Sequence, residues 1–130
     1  MSNNNRSTKY FEGMKVRRKV LGDKHVDRAI KNTNQIDKNF QEFITEGAWG
    51  TVWSSDKLKK RDRSLITIAL LAALGHDEEL EMHFKASKNT GATFEEISET
   101  LMHVAVYAGV PASNKALKIL KNVFEESKTK

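Results

Sequence analysis

The segment that most constrains the fold is residues 64–74, SLITIALLAAL, which is apolar on nearly every side of a helix. A helix without a polar side is buried all round, in a core or between subunits. The segment is much shorter than the roughly 20 residues that cross a bilayer, so it is not a membrane span. Gly75 and a group of ionisable residues follow it: His76, Asp77, Glu78, Glu79 and His83. We interpret this junction as the wall of an active site.

The remainder of the chain also predicts helices. One Pro, 7 Gly and the absence of alternating β-branched and aromatic runs argue against a sheet. Helices are predicted over residues 10–20, 36–53, 60–74, 77–89, 93–108 and from 111, with a short one over 23–29. By size, residues 10–127 form one all-α domain behind a disordered tail, residues 1–9. Gly47 and Gly50 inside a helix each cost about 1 kcal/mol, so a close approach or a bend is expected there.

Composition narrows the chemistry and the partners. The sequence contains no cysteine, which excludes disulfides, thiolate metal sites and a thiol nucleophile. A net charge of +5 permits anionic partners without choosing among them. The basic cluster at residues 57–63 is interrupted by Asp62 and matches no nucleic-acid-binding module. The first residues are polar and lack a secretory apolar stretch. We therefore expect a cytoplasmic protein without a nucleic-acid or membrane partner.

Glu79 and His83 lie one helical turn apart, and His83 shares a face with Leu80 and Phe84. A nearby carboxylate fixes the tautomer of an imidazole and raises its pKa, which suits proton transfer near neutral pH. Pairs of this spacing are also common on solvated helices, where they have no catalytic role. A metal site from His76, Glu79 and His83, joined by His103 or His25, is weakly indicated, because the spacing is not that of HExxH. No metal is predicted.

Other candidate side chains have structural and functional interpretations. Arg17 and Arg18 close the first predicted helix, where cations complement the helix dipole, but they also suit an anion clamp. Trp49 and Trp53 have the i,i+4 spacing of core aromatics. His103 and Tyr107 lie one turn apart along a predicted helix.

Four separated stretches resemble a known family: VRRKVLGDKHVDRA (16–29), FQEFITEGAWGTVW (40–53), RSLITIALLAALGHDEELEMH (63–83) and VYAGVPASNKAL (106–117). They are similar to the carboxymuconolactone decarboxylase family of the alkylhydroperoxidase D-like superfamily, over about residues 13–124. The superfamily's redox motif is Cys-x-x-Cys-x-x-x-His. Its His matches His83, its cysteines fall on His76 and Glu79, and its upstream Glu falls on Ser64. Thiol peroxidase activity is therefore excluded here.

The resemblance implies an all-α, alkylhydroperoxidase D-like helical bundle of about six helices, assembled as a homo-oligomer, a trimer or a hexamer. It implies decarboxylation of the dianionic 4-carboxymuconolactone to β-ketoadipate enol-lactone and CO2, in the β-ketoadipate pathway of aromatic catabolism, without a cofactor. A related oligomer acting on another carboxylated lactone is the first alternative. A non-catalytic, basic helical binding protein is the second.

A working hypothesis assigns roles to the candidate residues in that reaction. His83, oriented by Glu79, donates the proton, and His76 is a second candidate for the acid. Arg17 or Arg18 anchors the acetate carboxylate with two hydrogen bonds. Trp49 forms a pocket wall, and an oxyanion contact comes from one of three side chains: His103, Tyr107 or His25.

Overall fold

The computed structural model describes residues 6–129, and this part of the chain is helical and contains no strand. The elements are α1 (Thr8–Leu21), α2 (Asp23–Asn32), α3 (Lys38–Ile44), a π-helix (Thr45–Val52), α4 (Lys60–Leu74), α5 (Asp77–Thr90), α6 (Phe94–Tyr107) and α7 (Val110–Lys128). The all-α prediction is confirmed. The first five residues of the predicted tail lie outside the described residues, and α1 begins at Thr8. Among the described helices, none is both long and apolar enough to cross a membrane.

The helices group into two compact units, the first ending at Leu58 and the second beginning at Lys59. In the first unit, α1 packs against α2 and the π-helix, and α3 leads into the π-helix. In the second, α4 packs on α5, α6 and α7, and α7 also contacts α5 and α6. The single domain over residues 10–127 stays a prediction.

Helix ends in the second unit follow local sequence signals. Gly75 ends α4 in the left-handed conformation at φ 77°. Thr93 and Glu96 form a capping box at the start of α6, where each side chain accepts a hydrogen bond from the other's backbone N–H. Gly109 precedes α7, whose first turn contains Pro111. These residues fix the boundaries because each satisfies or removes backbone groups that a helix end leaves open.

The core of the second unit consists of side chains from all four of its helices and Ala92 between α5 and α6: Ile68, Ala72, Leu80, Phe84, Ala92, Ile97, Leu101, Val104, Ala116, Leu120 and Val123. Helix α4 buries only one stripe, Ser64, Ile68 and Ala72. Its other apolar side chains stay open to solvent, with Leu70 57% and Leu74 67% exposed. The predicted burial of α4 on every side is therefore not found within a single chain.

The first unit is organised around two glycines in contact. A Cβ atom on Gly13 of α1 would lie 2.0 Å from the carbonyl oxygen of Thr45, and one on Gly50 would lie 2.3 Å from that of Lys9. Only glycines allow α1 and the π-helix to approach so closely. The close approach predicted near Gly50 is confirmed, whereas a Cβ on Gly47 meets nothing within 4 Å.

The apolar pattern of residues 10–20 predicts that Phe11 faces inward, but this contact gives α1 a different orientation. The buried residues of α1 are Tyr10, Gly13, Arg17 and Val20. Phe11, which was expected to face inward, is 50% exposed. A backbone contact through Gly13 outweighed the burial of one aromatic ring, so a charged residue on the Gly13 face became buried.

Candidate active site

A cavity of about 250 Å³ lies within the first unit, between α1, α2, α3 and the start of the π-helix. Its lining combines several cations and one carboxylate with neutral polar and apolar groups: Arg6, Tyr10, Met14, Arg17, Ile30, Thr33, Lys38, Gln41, Glu42 and Thr45. Of the predicted site residues in this unit, Arg17 lines the cavity, while Arg18, His25 and Trp49 are not among its lining residues.

Arg17 is buried, with 6% of its surface exposed, and its hydrogen bonds go to neutral oxygens. Nη2 donates to Oε1 of Gln41 at 3.2 Å, and Nη1 donates to Oγ1 of Thr45 at 3.4 Å. Within the described residues, Nε is buried without a hydrogen-bond partner, and none of the ion pairs includes Arg17. A buried cation without a counter-ion is costly, so this arrangement favours an incoming anion.

Burial lowers the pKa of the Arg17 guanidinium, and nearby Tyr10 opposes that shift while Arg18 adds to it. Arginine pKa values are so high that the group still carries its charge at neutral pH. The cavity therefore presents a permanent positive charge in a poorly hydrated setting, where a charge-assisted hydrogen bond is strong.

Arg18 has a different environment from its neighbour. Its guanidinium lies 3.0 Å from Asp23 and 2.9 Å from Asp27, both on α2. Its hydrogen bond to Asp23, followed by that to Asp27, raises the Arg18 pKa. These ion pairs join α1 to α2 at the surface, so Arg18 has carboxylate partners that Arg17 lacks.

The acidic residue in the cavity lining also has a partner. Glu42 lies 3.5 Å from Arg6, whose Nη1 donates to the hydroxyl of Tyr10 at 2.9 Å. The Arg6 guanidinium also lies over the Tyr10 ring, 4.3 Å from its centroid. The charge of Glu42 is thus engaged by Arg6.

Sequence reasoning missed Tyr10, Gln41 and Thr45 as residues of this site. Tyr10 and Arg17 lie on the same helical stripe, a signal that the sequence does contain. Gln41 and Thr45 come from a different helix, and no spacing rule joins them to Arg17.

His83 is buried on α5, with 7% of its surface exposed, beside Leu80 and Phe84. The predicted inward face of this helix is confirmed, and the Nδ1 atom of His83 is shielded from solvent. Glu79 is exposed, and exposed His76 precedes the first turn of α5. His76 and Glu79 line a shallow depression of about 230 Å³ with Asp77 and Glu78. Orientation of His83 by Glu79 stays a prediction.

His103 and Tyr107 lie on an open groove of about 940 Å³ between α4 and α6. Their ring centroids are 4.9 Å apart, and Tyr107 is 80% exposed. The groove is lined by apolar side chains of α4 and by polar and apolar side chains of α6, among them the carboxylates Glu95 and Glu99. Two candidates for the oxyanion contact thus share one surface, and the role itself stays a prediction.

Trp49 is buried against Trp53, with ring centroids 5.1 Å apart, as expected for core aromatics. His25 is half-buried on α2. Across residues 6–129, no three side chains of the His, Asp and Glu type come together to hold a metal ion. The metal alternative therefore gains no support.

Comparison with known proteins extends these observations. Residues 38–122 match the carboxymuconolactone decarboxylase family. The chain is 46% identical over 122 residues to a 4-carboxymuconolactone decarboxylase of Acinetobacter baylyi, covering 94% of this chain and 91% of that protein. It is 38% identical over 117 residues to a nitrosuccinic acid decarboxylase of Metarhizium robertsii, covering 90% of this chain and 82% of that protein. A 4-carboxymuconolactone decarboxylase of Pseudomonas putida is 52% identical over 42 residues, covering 32% of this chain and 88% of that protein. The resemblance read from the four stretches is thus confirmed, and the chain belongs to the carboxymuconolactone decarboxylase family.

Proposed function

We propose that this chain is a carboxy-lyase that converts 4-carboxymuconolactone to β-ketoadipate enol-lactone and CO2 in aromatic catabolism. The observation that carries the proposal is the near full-length similarity to a 4-carboxymuconolactone decarboxylase, at 46% identity. The relative that acts on nitrosuccinic acid supports decarboxylation as the reaction shared among these proteins. It also makes nitrosuccinic acid the first comparison substrate.

The reaction sets three physical demands. Breaking the bond between the ring carbon and its carboxylate releases CO2 and leaves an electron pair on the ring. That pair delocalises through the conjugated double bond onto the lactone carbonyl oxygen, giving an oxyfuran-like anion. The site must therefore supply a hydrogen-bond donor near this oxygen and a poorly hydrated place for the departing carboxylate. It must also supply an acid that protonates a ring carbon.

We assign to Arg17 the binding of the acetate carboxylate that the product retains. Its burial, its neutral oxygen partners and its unpartnered Nε support this role. A guanidinium and a carboxylate form two parallel hydrogen bonds, which would orient the substrate as well as hold it. Arg18 is the weaker candidate because its charge is already paired with Asp23 and Asp27.

In the second unit we assign proton donation to His83. Its burial on the apolar face of α5 supports this role, because proton transfer in a water-poor setting is protected from exchange with solvent. Glu79 is proposed to orient the ring, and His76 is the alternative acid. His103, Tyr107 and His25 remain the candidates for the oxyanion contact.

We also propose that the protein acts as a cytoplasmic homo-oligomer, a trimer or a hexamer. Support comes from large apolar side chains that one chain leaves exposed at four-residue spacing on α4 and on α6: Ile66, Leu70, Leu74, Met102 and Val106. Patches of this kind on a folded chain mark protein–protein interfaces. The alternative of a basic binding protein is less favoured, because Arg61 of the basic cluster pairs with Asp62 and Glu96.

The test is CO2 release from 4-carboxymuconolactone by purified, chelator-treated protein, with nitrosuccinic acid assayed beside it. Turnover of the lactone without added cofactor is the expected result. Turnover of nitrosuccinic acid alone would transfer the proposal to that substrate. Absence of turnover with either acid, combined with salt-sensitive binding to random DNA, would favour the basic binding protein.

A further inference from the structure

The hydrogen bonds of Arg17 hold the guanidinium without neutralising it. Gln41 and Thr45 offer an amide oxygen and a hydroxyl oxygen, at 3.2 Å and 3.4 Å. The acidic side chain lining the same cavity, Glu42, is engaged by Arg6. A carboxylate at position 41 or 45 would fill the same space and cancel the charge, so the neutrality of these two side chains has a chemical consequence.

The backbone sets where these two side chains lie. Arg17 is one helical turn beyond Gly13, whose contact with the Thr45 carbonyl brings the π-helix against α1. The Thr45 hydroxyl donates to the carbonyl oxygen of Gln41 at 2.7 Å, so its lone pairs are left to accept from Arg17. Both polar contacts of Arg17 therefore depend on a junction that the glycine pair holds in place.

The size of the cavity limits what Arg17 can bind there. Its volume of about 250 Å³ lies below the roughly 300–1,000 Å³ of sites that enclose a drug-sized molecule. A carboxylate on a short arm fits within such a space.

We propose that Gln41 and Thr45 are positioning residues that orient the Arg17 guanidinium without neutralising its charge, which makes this cavity the subsite for one carboxylate arm of the substrate. The inference rests on the proposed function, since it names the place where the retained carboxylate binds. Gln41 and Thr45 act through Arg17 and do not take part in the bond-breaking step.

The sharpest test is Gln41→Glu, which places a carboxylate against Arg17 at almost unchanged volume. We expect KM for 4-carboxymuconolactone to rise about 10- to 100-fold, the range expected for losing a charge-assisted hydrogen bond, with kcat changed much less. Asn39→Asp is the matched control, because it adds the same charge to exposed Asn39 of α3 and should leave KM unchanged. An unchanged KM in folded Gln41→Glu would overturn the proposal.

A second pair of variants serves if Gln41→Glu does not fold. Thr45→Val removes the hydroxyl at similar volume, and KM should rise about 2- to 10-fold, as for a neutral hydrogen bond. Thr45→Ser restores the hydroxyl and should restore KM. Equal KM values for Thr45→Val and Thr45→Ser would contradict a positioning role.

Calorimetric titration with succinate separates this inference from the proposed function. Succinate carries carboxylates but no lactone, so its binding does not depend on decarboxylation. Succinate binding that Gln41→Glu weakens and Asn39→Asp does not, in a protein without turnover, would support the subsite and overturn the proposed function. Turnover with a normal KM in Gln41→Glu would support the proposed function and overturn the subsite. A wild-type protein with neither succinate binding nor turnover would overturn both.

Discussion

Gly50→Ala tests the contact on which the first unit is built. The added Cβ would lie 2.3 Å from the carbonyl oxygen of Lys9, about 1 Å short of ordinary contact. The obstacle is backbone, so α1 or the π-helix must move. Overpacking usually costs about 1–3 kcal/mol, and a clash with backbone belongs at the upper end of that range, about 3 kcal/mol. The better helix propensity of Ala returns about 1 kcal/mol. We expect a net loss of about 2 kcal/mol and a fall in Tm of about 5–10 °C.

Gly47→Ala is the matched control, in the same π-helix and with the same added methyl group. Nothing lies within 4 Å of the Cβ that it would gain, and Gly47 is not among the glycines with positive φ. The substitution should therefore raise stability by about 0.5–1 kcal/mol. Thermal and urea unfolding of the two variants, followed by circular dichroism, measures the difference. Equal shifts, or a Gly50→Ala protein as stable as wild type, would refute a close approach at Gly50.

The remaining predictions concern the charged and titratable groups. Arg17→Lys should raise KM with little change in kcat, because an ammonium group lacks the planar fork of a guanidinium. An unchanged KM in steady-state kinetics would show that Arg17 does not bind the carboxylate in this way. His83→Ala should lower kcat by about 10²–10⁴ in a protein that circular dichroism shows to be folded, and near-normal turnover would remove His83 from the mechanism. The backbone N–H of Thr93, with help from Arg61, holds the pKa of Glu96 below its usual range. That stabilisation is present above the pKa of the unfolded chain and is lost as pH falls through the folded pKa. The wild type should thus lose its stability advantage over Glu96→Gln as pH drops below about 4, and parallel pH profiles of urea unfolding would contradict this.

Much of the second unit was predictable because its signals are local. The ends of α4 and the capping box at Thr93 and Glu96 depend on residues within one or two turns. The inward position of His83 followed from the periodicity of α5. Periodicity could not show what covers the rest of α4, because Leu70 and Leu74 are exposed in a single chain.

The first unit was less predictable because its determining contact joins distant parts of the chain. The pattern over residues 36–53 was interpreted as one helix, but a π-helix begins at Thr45 and shifts every later side chain around the axis. The tight packing at Gly13 and Gly50 is tertiary, and it made Arg17 face inward in place of Phe11. Arg17 was among the predicted anchors, but the choice between it and Arg18 needed the positions of Asp23 and Asp27.

The buried charge of Arg17 has a thermodynamic consequence for the folded protein. A guanidinium that is shielded from water and hydrogen-bonded to neutral oxygens costs stability, and a bound carboxylate offsets that cost. Any small acid that binds there stabilises the folded protein. Above its Kd, the free energy of unfolding rises with the logarithm of its concentration. A dicarboxylate that binds at Arg17 should therefore raise the thermal unfolding midpoint of the protein.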